Sequence, residues 1–300
     1  MSLVSFVKIK KDTIHSFKKA INDSLNLIEF SFPSGARNVV IKPNLCYYWD
    51  HSTGATTDPR FAAALVEVIR ENISSKVKIS LVESDASAMK CKYAFQMLGY
   101  TKLSQEYDVK LVNLSEDVTQ TVETSAGGYK IKLQIPQIIR DADLKINTSK
   151  IKYSLPSIQM TCALKNIFGC NPYPRKFQYH PRIGEVIVAI NKAMKFDLCV
   201  IGENIASGIK PRRIGLVMTS KDPVAVDVAA AEIAGVNPKR LKFLQLAAKE
   251  GLGTTDYIQK GVSIDYFKAL YPSKTPRSKV MKQAYELIVM LGLNKKLGLS

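Results

Sequence analysis

The stretch NVVIKPNLCYYWDHSTGATTDPRFAAALVEVIRENISSKVKISLVE, residues 38–83, sets the fold class. Its first six residues are a compact apolar run ending in Lys-Pro, with Asn44 next, the pattern of a buried strand that feeds a loop. Asp58-Pro59 then opens a helix through Asn72, with the aspartate as N-cap and the proline at the first helical position, where a missing N–H does no harm. A second apolar strand, residues 77–83, ends on an acid. Strand, helix and strand in this order predict a parallel sheet.

The pattern extends in both directions. Upstream, residues 3–9 read as a strand and 13–27 as a helix with apolar positions at helical spacing. Downstream, a helix over 88–98 closes at Gly99, and strands follow at 109–114 and 143–147. Residues 119–123 and 129–134, joined through Ala126-Gly127-Gly128, predict a hairpin inserted at a sheet edge or as a flap. A helix runs from Pro181 to Met194, and strands at 198–202 and 214–219 flank a turn-rich loop. Asp222-Pro223 caps another helix as Asp58-Pro59 does, and residues 238–250 form one more before Gly251. The expected fold is α/β, a mostly parallel sheet flanked by helices with an inserted β-hairpin. Residues 1–272 read as one domain, in which the recurring strand, loop, Asp-Pro, helix unit points to two related lobes, 1–145 and 146–272, around a cleft. Residues 273–300 read as a basic helical extension.

A chain of 300 residues that is 46% hydrophobic can bury a sizeable core. Its formal charge of +17 implies attraction to anions: a phosphorylated metabolite, nucleic acid or acidic lipid. The lysines are dispersed rather than blocked, which weakens the case for a dedicated nucleic-acid arm. The five cysteines show no C-x-x-C pair, so no structural zinc or iron–sulfur cluster is expected. The first residues have no continuous apolar core of a signal peptide, and no run of eighteen apolar residues occurs, so a cytoplasmic protein without membrane association is expected. There is no G-x-G-x-x-G after a strand, no P-loop and no G-x-S-x-G elbow, which removes the familiar dehydrogenase, P-loop and hydrolase readings.

Residues 145–180, KINTSKIKYSLPSIQMTCALKNIFGCNPYPRKFQYH, combine lysines and asparagines with little regular periodicity, the texture of a site rather than a core element. Lys165 and Asn166 follow an apolar helical stretch at 160–164, and Lys176 and His180 follow a turn-rich passage. Lysine supplies a point charge and asparagine a donor and an acceptor, a set suited to an anionic small molecule. In open α/β sheets ligands sit beyond the carboxyl ends of the strands. Lys42 and Asn44, Glu83 and Asp85, Asn147 and Lys150, Glu203 and Asn204, and Ser220 to Asp222 fall at such places, and Thr57 and Asp58 are further candidate ligand-binding residues.

Asp227 lies in a helix apolar on nearly all sides, so it is expected to pair with Lys42, Lys150 or Lys165, to bind a metal, or to carry a raised pKa and move a proton. His180 is the other candidate acid or base. Glu83, Asp85, Glu203 and Asp222 could gather a divalent cation such as magnesium, although Asp58 and Asp222 read equally well as plain helix caps. Tyr47, Tyr48 and Trp49 offer an aromatic wall for a ring.

Four ordered motifs resemble the family known as domain of unknown function 362: IKPNL (41–45), TTDP (56–59), LKNIFG (164–169) with a lysine and Tyr179-His180 after it, and SKDPVAVDVAAAEIAG (220–235). The resemblance spans about residues 38–257 and speaks to architecture more than to reaction. Many members carry an added ferredoxin-like segment with clustered cysteines, which has no counterpart here, so the resemblance implies a short form without an iron–sulfur cluster. Two functions follow as expectations: an enzyme that binds a phosphorylated or carboxylated small molecule in a cleft lined by lysine and asparagine, or a non-enzymatic basic protein that binds nucleic acid.

Overall fold

The computed structural model describes residues 1–45, 47–154, 158–208 and 210–272. In chain order the strands are β1 (Ser2–Lys8), β2 (Asn38–Pro43), β3 (Lys78–Glu83), β4 (Lys110–Asn113), β5 (Thr119–Ala126), β6 (Tyr129–Pro136), β7 (Leu144–Thr148), β8 (Lys152–Tyr153), β9 (Met160–Thr161), β10 (Leu198–Ala206), β11 (Arg212–Ser220) and β12 (Tyr257–Gly261). The helices are α1 (Ile14–Leu27), α2 (Pro59–Asn72), α3 (Cys91–Met97), α4 (Tyr100–Glu106), α5 (Gln137–Arg140), α6 (Ala163–Phe168), α7 (Ile183–Met194), α8 (Pro223–Ile233), α9 (Lys242–Lys249) and α10 (Ile264–Leu270).

One eight-stranded sheet runs in the order β12-β1-β11-β10-β7-β2-β3-β4. Among its described strands β11 alone runs against the others, through its pairings with β1 and β10. The inner strands are buried on both faces, which is why they read in sequence as unbroken apolar runs. Their side chains alternate between two helical layers: Val39 and Ile41 pack with α1 to α4, whereas Val40 packs with the layer of α6 to α9. Strands from both halves of the chain share this sheet, because β10 pairs with β7 and β7 with β2.

Both Asp-Pro sequences are helix starts. Asp58 accepts from the Arg60 amide and also holds its guanidinium at 2.7 Å. Asp222 accepts from the Val224 and Ala225 amides, and its second oxygen takes the Ser2 hydroxyl and the Thr254 amide. A Cβ at Gly253 would lie 1.9 Å from that carboxylate, so only glycine lets the loop close over the cap. The two units nevertheless leave the sheet in opposite senses, because β11 is the reversed strand.

The β5–β6 hairpin forms a two-stranded sheet of its own that rides over α7, with Lys192 bonded to the Ser125 carbonyl at 2.7 Å. Several bounds differ from the sequence expectation for local reasons. The helix over 88–98 starts only at Cys91, because Ala86 and Met89 close a tight bridge ahead of it. Beyond Gly99, at φ +81°, the chain turns into a further helix, α4, rather than a loop. The strands around 206–213 extend into a long antiparallel pair, and 238–250 divides into a short 3₁₀ turn and α9. The apolar stretch at 160–164 is half strand: Met160-Thr161 pairs with Lys152-Tyr153, and α6 begins after it, carrying Lys165 and Asn166 inside the helix. The extension at 273–300 lies outside the described residues.

Candidate functional site: a lysine-lined cavity

β2, β3 and β7 are neighbours, and their carboxyl ends bring Lys42, Glu83 and Asn147 together, with Lys42 directly opposite Asn147. Lys42 donates to Glu83 Oε2 at 2.7 Å and to the Pro43 carbonyl at 2.6 Å. Glu83 also accepts from the amides of Leu45 and Ser84. Both side chains are at most 5% exposed, so each needs the other: an unpaired charge at that depth is strongly disfavoured.

Above this pair runs a chain of amides. Asn147 donates to the Ala163 carbonyl, and Asn166 donates to Asn147 Oδ1 at 2.8 Å and to the Lys42 carbonyl at 3.1 Å. Asn44 donates to Asn166 Oδ1, and Lys152 donates to Asn44 Oδ1 at 2.7 Å. Each side-chain orientation is thereby fixed by its neighbour, the condition for a preorganised polar surface. Gly169 lies against the ion pair, since a Cβ there would stand 3.2 Å from both Glu83 Oε1 and Lys42 Cε.

Lys42, Asn44, Glu83, Asn166 and Gly169 border a cavity of about 810 Å³, which Lys152, Lys165 and Lys176 also line, with Asn147 buried behind them. Glu83 is the one carboxylate among its described lining residues. Lys176 donates to Ser84 Oγ and, at 3.4 Å, to the Gly169 carbonyl. Burial pushes its amine down to about 8; Glu83 opposes the shift, and Lys42 and Lys165 add to it. His180 lines the same wall, its ring edge-on to Phe177 at 5.1 Å. Burial, and then the charge of Lys165, lower its pKa. Tyr47 and Trp49 stand at the rim with ring centroids 6.2 Å apart.

Of the residues singled out in sequence, Lys42, Asn44, Lys165, Asn166, Lys176, His180 and Glu83 thus meet at one cavity. Others lie elsewhere. Thr57 supports the site from behind, bonded to the Asn44 amide and the Thr148 carbonyl. Asp58 and Asp222 cap α2 and α8. Asp85 accepts from the Cys91 amide and from Lys90. Lys150 and Glu203 form a separate buried pair, 3.2 Å apart, where a bulge in β10 leaves the carbonyls of Gly202 and Ile205 to accept from the lysine. Burial pushes Glu203 up to about 7 against the pull of Lys150.

The lysine partner expected for Asp227 is replaced by backbone: its carboxylate accepts from the amides of Ala163 and Leu164, at 2.6 and 3.3 Å. Burial pushes it up to about 7, while those amides pull the other way. The four carboxylates expected to gather a cation are each engaged at different elements, and no group of three or more potential metal ligands occurs among the described residues. Lys152, Ser84 and Gly169 were not anticipated. Lys152 sits on a two-residue strand without periodicity, and Ser84 follows an acid that drew attention to itself; Gly169, inside LKNIFG, had a readable motif.

The family described as "Domain of unknown function (DUF362)" matches residues 39–232. The chain belongs to this family. The match contains all seven residues that meet at the cavity. This DUF362 chain is 28% identical over 237 residues to the thylakoid-associated protein sll1697 of Synechocystis sp., a span of 74% of this chain and 70% of that protein. Among solved structures it is similar to the lactate racemase apoprotein from Thermoanaerobacterium thermosaccharolyticum, with a TM-score of 0.44 and 12% identity. That similarity covers 79% of this chain and 58% of the racemase chain. No helix among the described residues of this DUF362 protein is long and apolar enough to cross a membrane.

Proposed function

We propose that this protein is an enzyme that binds a phosphorylated or carboxylated small molecule in the cavity at the carboxyl ends of β2, β3 and β7. The observation that carries the reading is the charge of the lining: Lys42, Lys152, Lys165 and Lys176 face one cavity with Glu83 as the single carboxylate among its described lining residues. Glu83 offsets Lys42, which leaves an excess of positive charge in a partly desolvated space, where it attracts an anion more strongly than at the surface. The amide chain through Asn44, Asn166 and Asn147 orients the ligand, and His180 supplies an imidazole for proton transfer. The nucleic-acid alternative draws on net charge alone and gains nothing from a set of lysines that converge on a cavity.

Trp49 is the only tryptophan in the sequence and lines this cavity, so intrinsic fluorescence reports its occupancy. Titration with a panel of phosphorylated and carboxylated metabolites is expected to change that fluorescence saturably. Lys165→Ala is expected to weaken binding by about 1.5–3 kcal/mol, the usual range for a hydrogen bond to a charged group. Its unfolding free energy should stay within about 0.5 kcal/mol of the parent. A flat response to every anion, or equal affinity in the variant, overturns the reading.

A further inference from the structure

Lys176 differs from Lys42 in what holds it. Lys42 is locked to a carboxylate 2.7 Å away. The hydrogen-bond partners of Lys176 are both neutral, the Ser84 hydroxyl and the Gly169 carbonyl, and they hold its amine at the cavity wall. Lys42 and Lys165 lie near enough to disfavour a third positive charge there. Desolvation and neighbouring cations are the two circumstances that turn a lysine into a nucleophile toward carbonyl carbon.

We infer that Lys176 is an imine-forming residue, whose amine adds to the ketone carbon of a 2-oxo acid while neighbouring lysines hold the acid's carboxylate. This rests on the anion-binding reading above and specifies its substrate class. The cations that surround Lys176 place the anionic group next to the reacting carbon rather than at a distance, which fits a 2-oxo acid. The half-exposed Tyr47, Trp49 and Phe177 at the cavity give a side chain with a ring somewhere to pack.

In the step itself the nitrogen lone pair forms a bond to the ketone carbon, and the carbonyl electron pair moves to oxygen. The resulting carbinolamine loses its oxygen as water, which carries away both hydrogens of the amine and leaves a carbon–nitrogen double bond. His180, four residues on and lining the same cavity, is placed to relay the protons. With its amine at about 8 rather than 10.5, Lys176 holds on the order of 10²-fold more neutral amine at pH 7 than a surface lysine.

The test uses phenylpyruvate as the probe and phenyllactate, which has the same ring and carboxylate but no ketone, as the control. The whole protein is incubated with phenylpyruvate and cyanoborohydride, which delivers hydride to an imine and fixes it as a secondary amine, and the modified lysine is located by peptide mass mapping. Lys176 is expected to be labelled roughly 10- to 100-fold faster than surface lysines. Excess phenyllactate should suppress the label, and Lys176→Arg should lose it while Trp49 still responds to phenyllactate. No label at Lys176, or labelling no faster than at the surface, overturns the assignment. If phenyllactate alters Trp49 fluorescence but Lys176 stays unlabelled, imine formation fails and anion binding stands. If neither compound binds but other anions do, the 2-oxo acid class fails. If no anion binds, both readings fall together.

Discussion

Asp227 caps a helix to which it does not belong: its Oδ1 accepts from the Ala163 amide, 64 positions away in sequence, at 2.6 Å. Helix α6 has no side-chain cap of its own, and it is the element that carries Lys165 and Asn166 to the cavity. A buried carboxylate on α8 therefore anchors the start of a helix that bears the site.

Asp227→Ala removes the acceptor for two buried amides, each of which costs about 1–3 kcal/mol when left unsatisfied. Urea unfolding is expected to show a loss in that range or somewhat above it. The fluorescence response of Trp49 to ligand should weaken in parallel, because the helix that presents Lys165 loses its anchor. A fully retained response at reduced stability would separate Asp227 from the site.

The same residue gives stability a pH dependence of unusual sign. Its carboxyl sits at about 7 in the folded chain against 3.8 in a free side chain, and Glu203 is likewise raised to about 7. Between those values the folded chain holds protons that the unfolded chain has released, so the contribution of both groups falls as pH rises and levels off above about 7. Asp227→Asn should flatten this decline relative to the parent. Unfolding free energies at pH 5, 6, 7 and 8 for both proteins measure it.

Lys150→Met leaves Glu203 buried without its cation and strips a donor from the two carbonyls exposed by the bulge in β10. Breaking a buried pair in this way costs about 3–5 kcal/mol. A Lys150→Met, Glu203→Gln double variant should recover much of that loss. Ligand response at Trp49 is expected to survive in the double variant, since neither residue lines the cavity.

Lys176→Met is expected to stabilise the protein at pH 7. The lysine is lowered to about 8 from 10.5 by burial, with Glu83 on β3, Lys42 on β2, Lys165 on α6 and Cys170 just after α6 acting on its charge. Below about pH 8 the folded chain carries that charge at full cost. Between about 8 and 10.5 the unfolded chain binds the proton that the folded chain has released, so this residue's contribution to stability rises with pH. The variant should therefore gain on the order of 1–3 kcal/mol at pH 7 and lose its advantage as pH climbs through that window. Denaturant titrations at pH 7, 9 and 10 test the direction.

The parallel core was legible because burial on both faces writes itself as apolar runs, and because Asp-Pro marks a helix start; β2 and α2 match the expected bounds. Polar residues at the end of β2 were legible from the topology of the sheet, which located Lys42 and Asn44 at the cavity, whereas Asn166 and Lys176 stood out through the lysine- and asparagine-rich composition of residues 145–180. What sequence could not separate was a buried charge that serves the cavity from one that serves the scaffold. Lys150 and Glu203 look like site residues until the bulge in β10 shows which carbonyls need a donor. Asp227 looks like an ion-pair partner until α8 is seen against the start of α6. Strand β12 and helix α10 escaped notice because they are short and largely exposed, with only Phe267 of α10 fully buried.

Sheet order also constrains how this chain comes together during synthesis. The first strand, β1, has β11 and β12 as its neighbours, so residues 2–8 must wait for residues 212–220 and 257–261. By contrast β2, β3 and β4 can pair with one another as soon as residue 113 has emerged. A ribosome therefore releases Val4 and Phe6, both fully buried at the end, long before anything exists to cover them. Pairings this remote are slow to close, so β1 keeps its place open until the last described strand completes it.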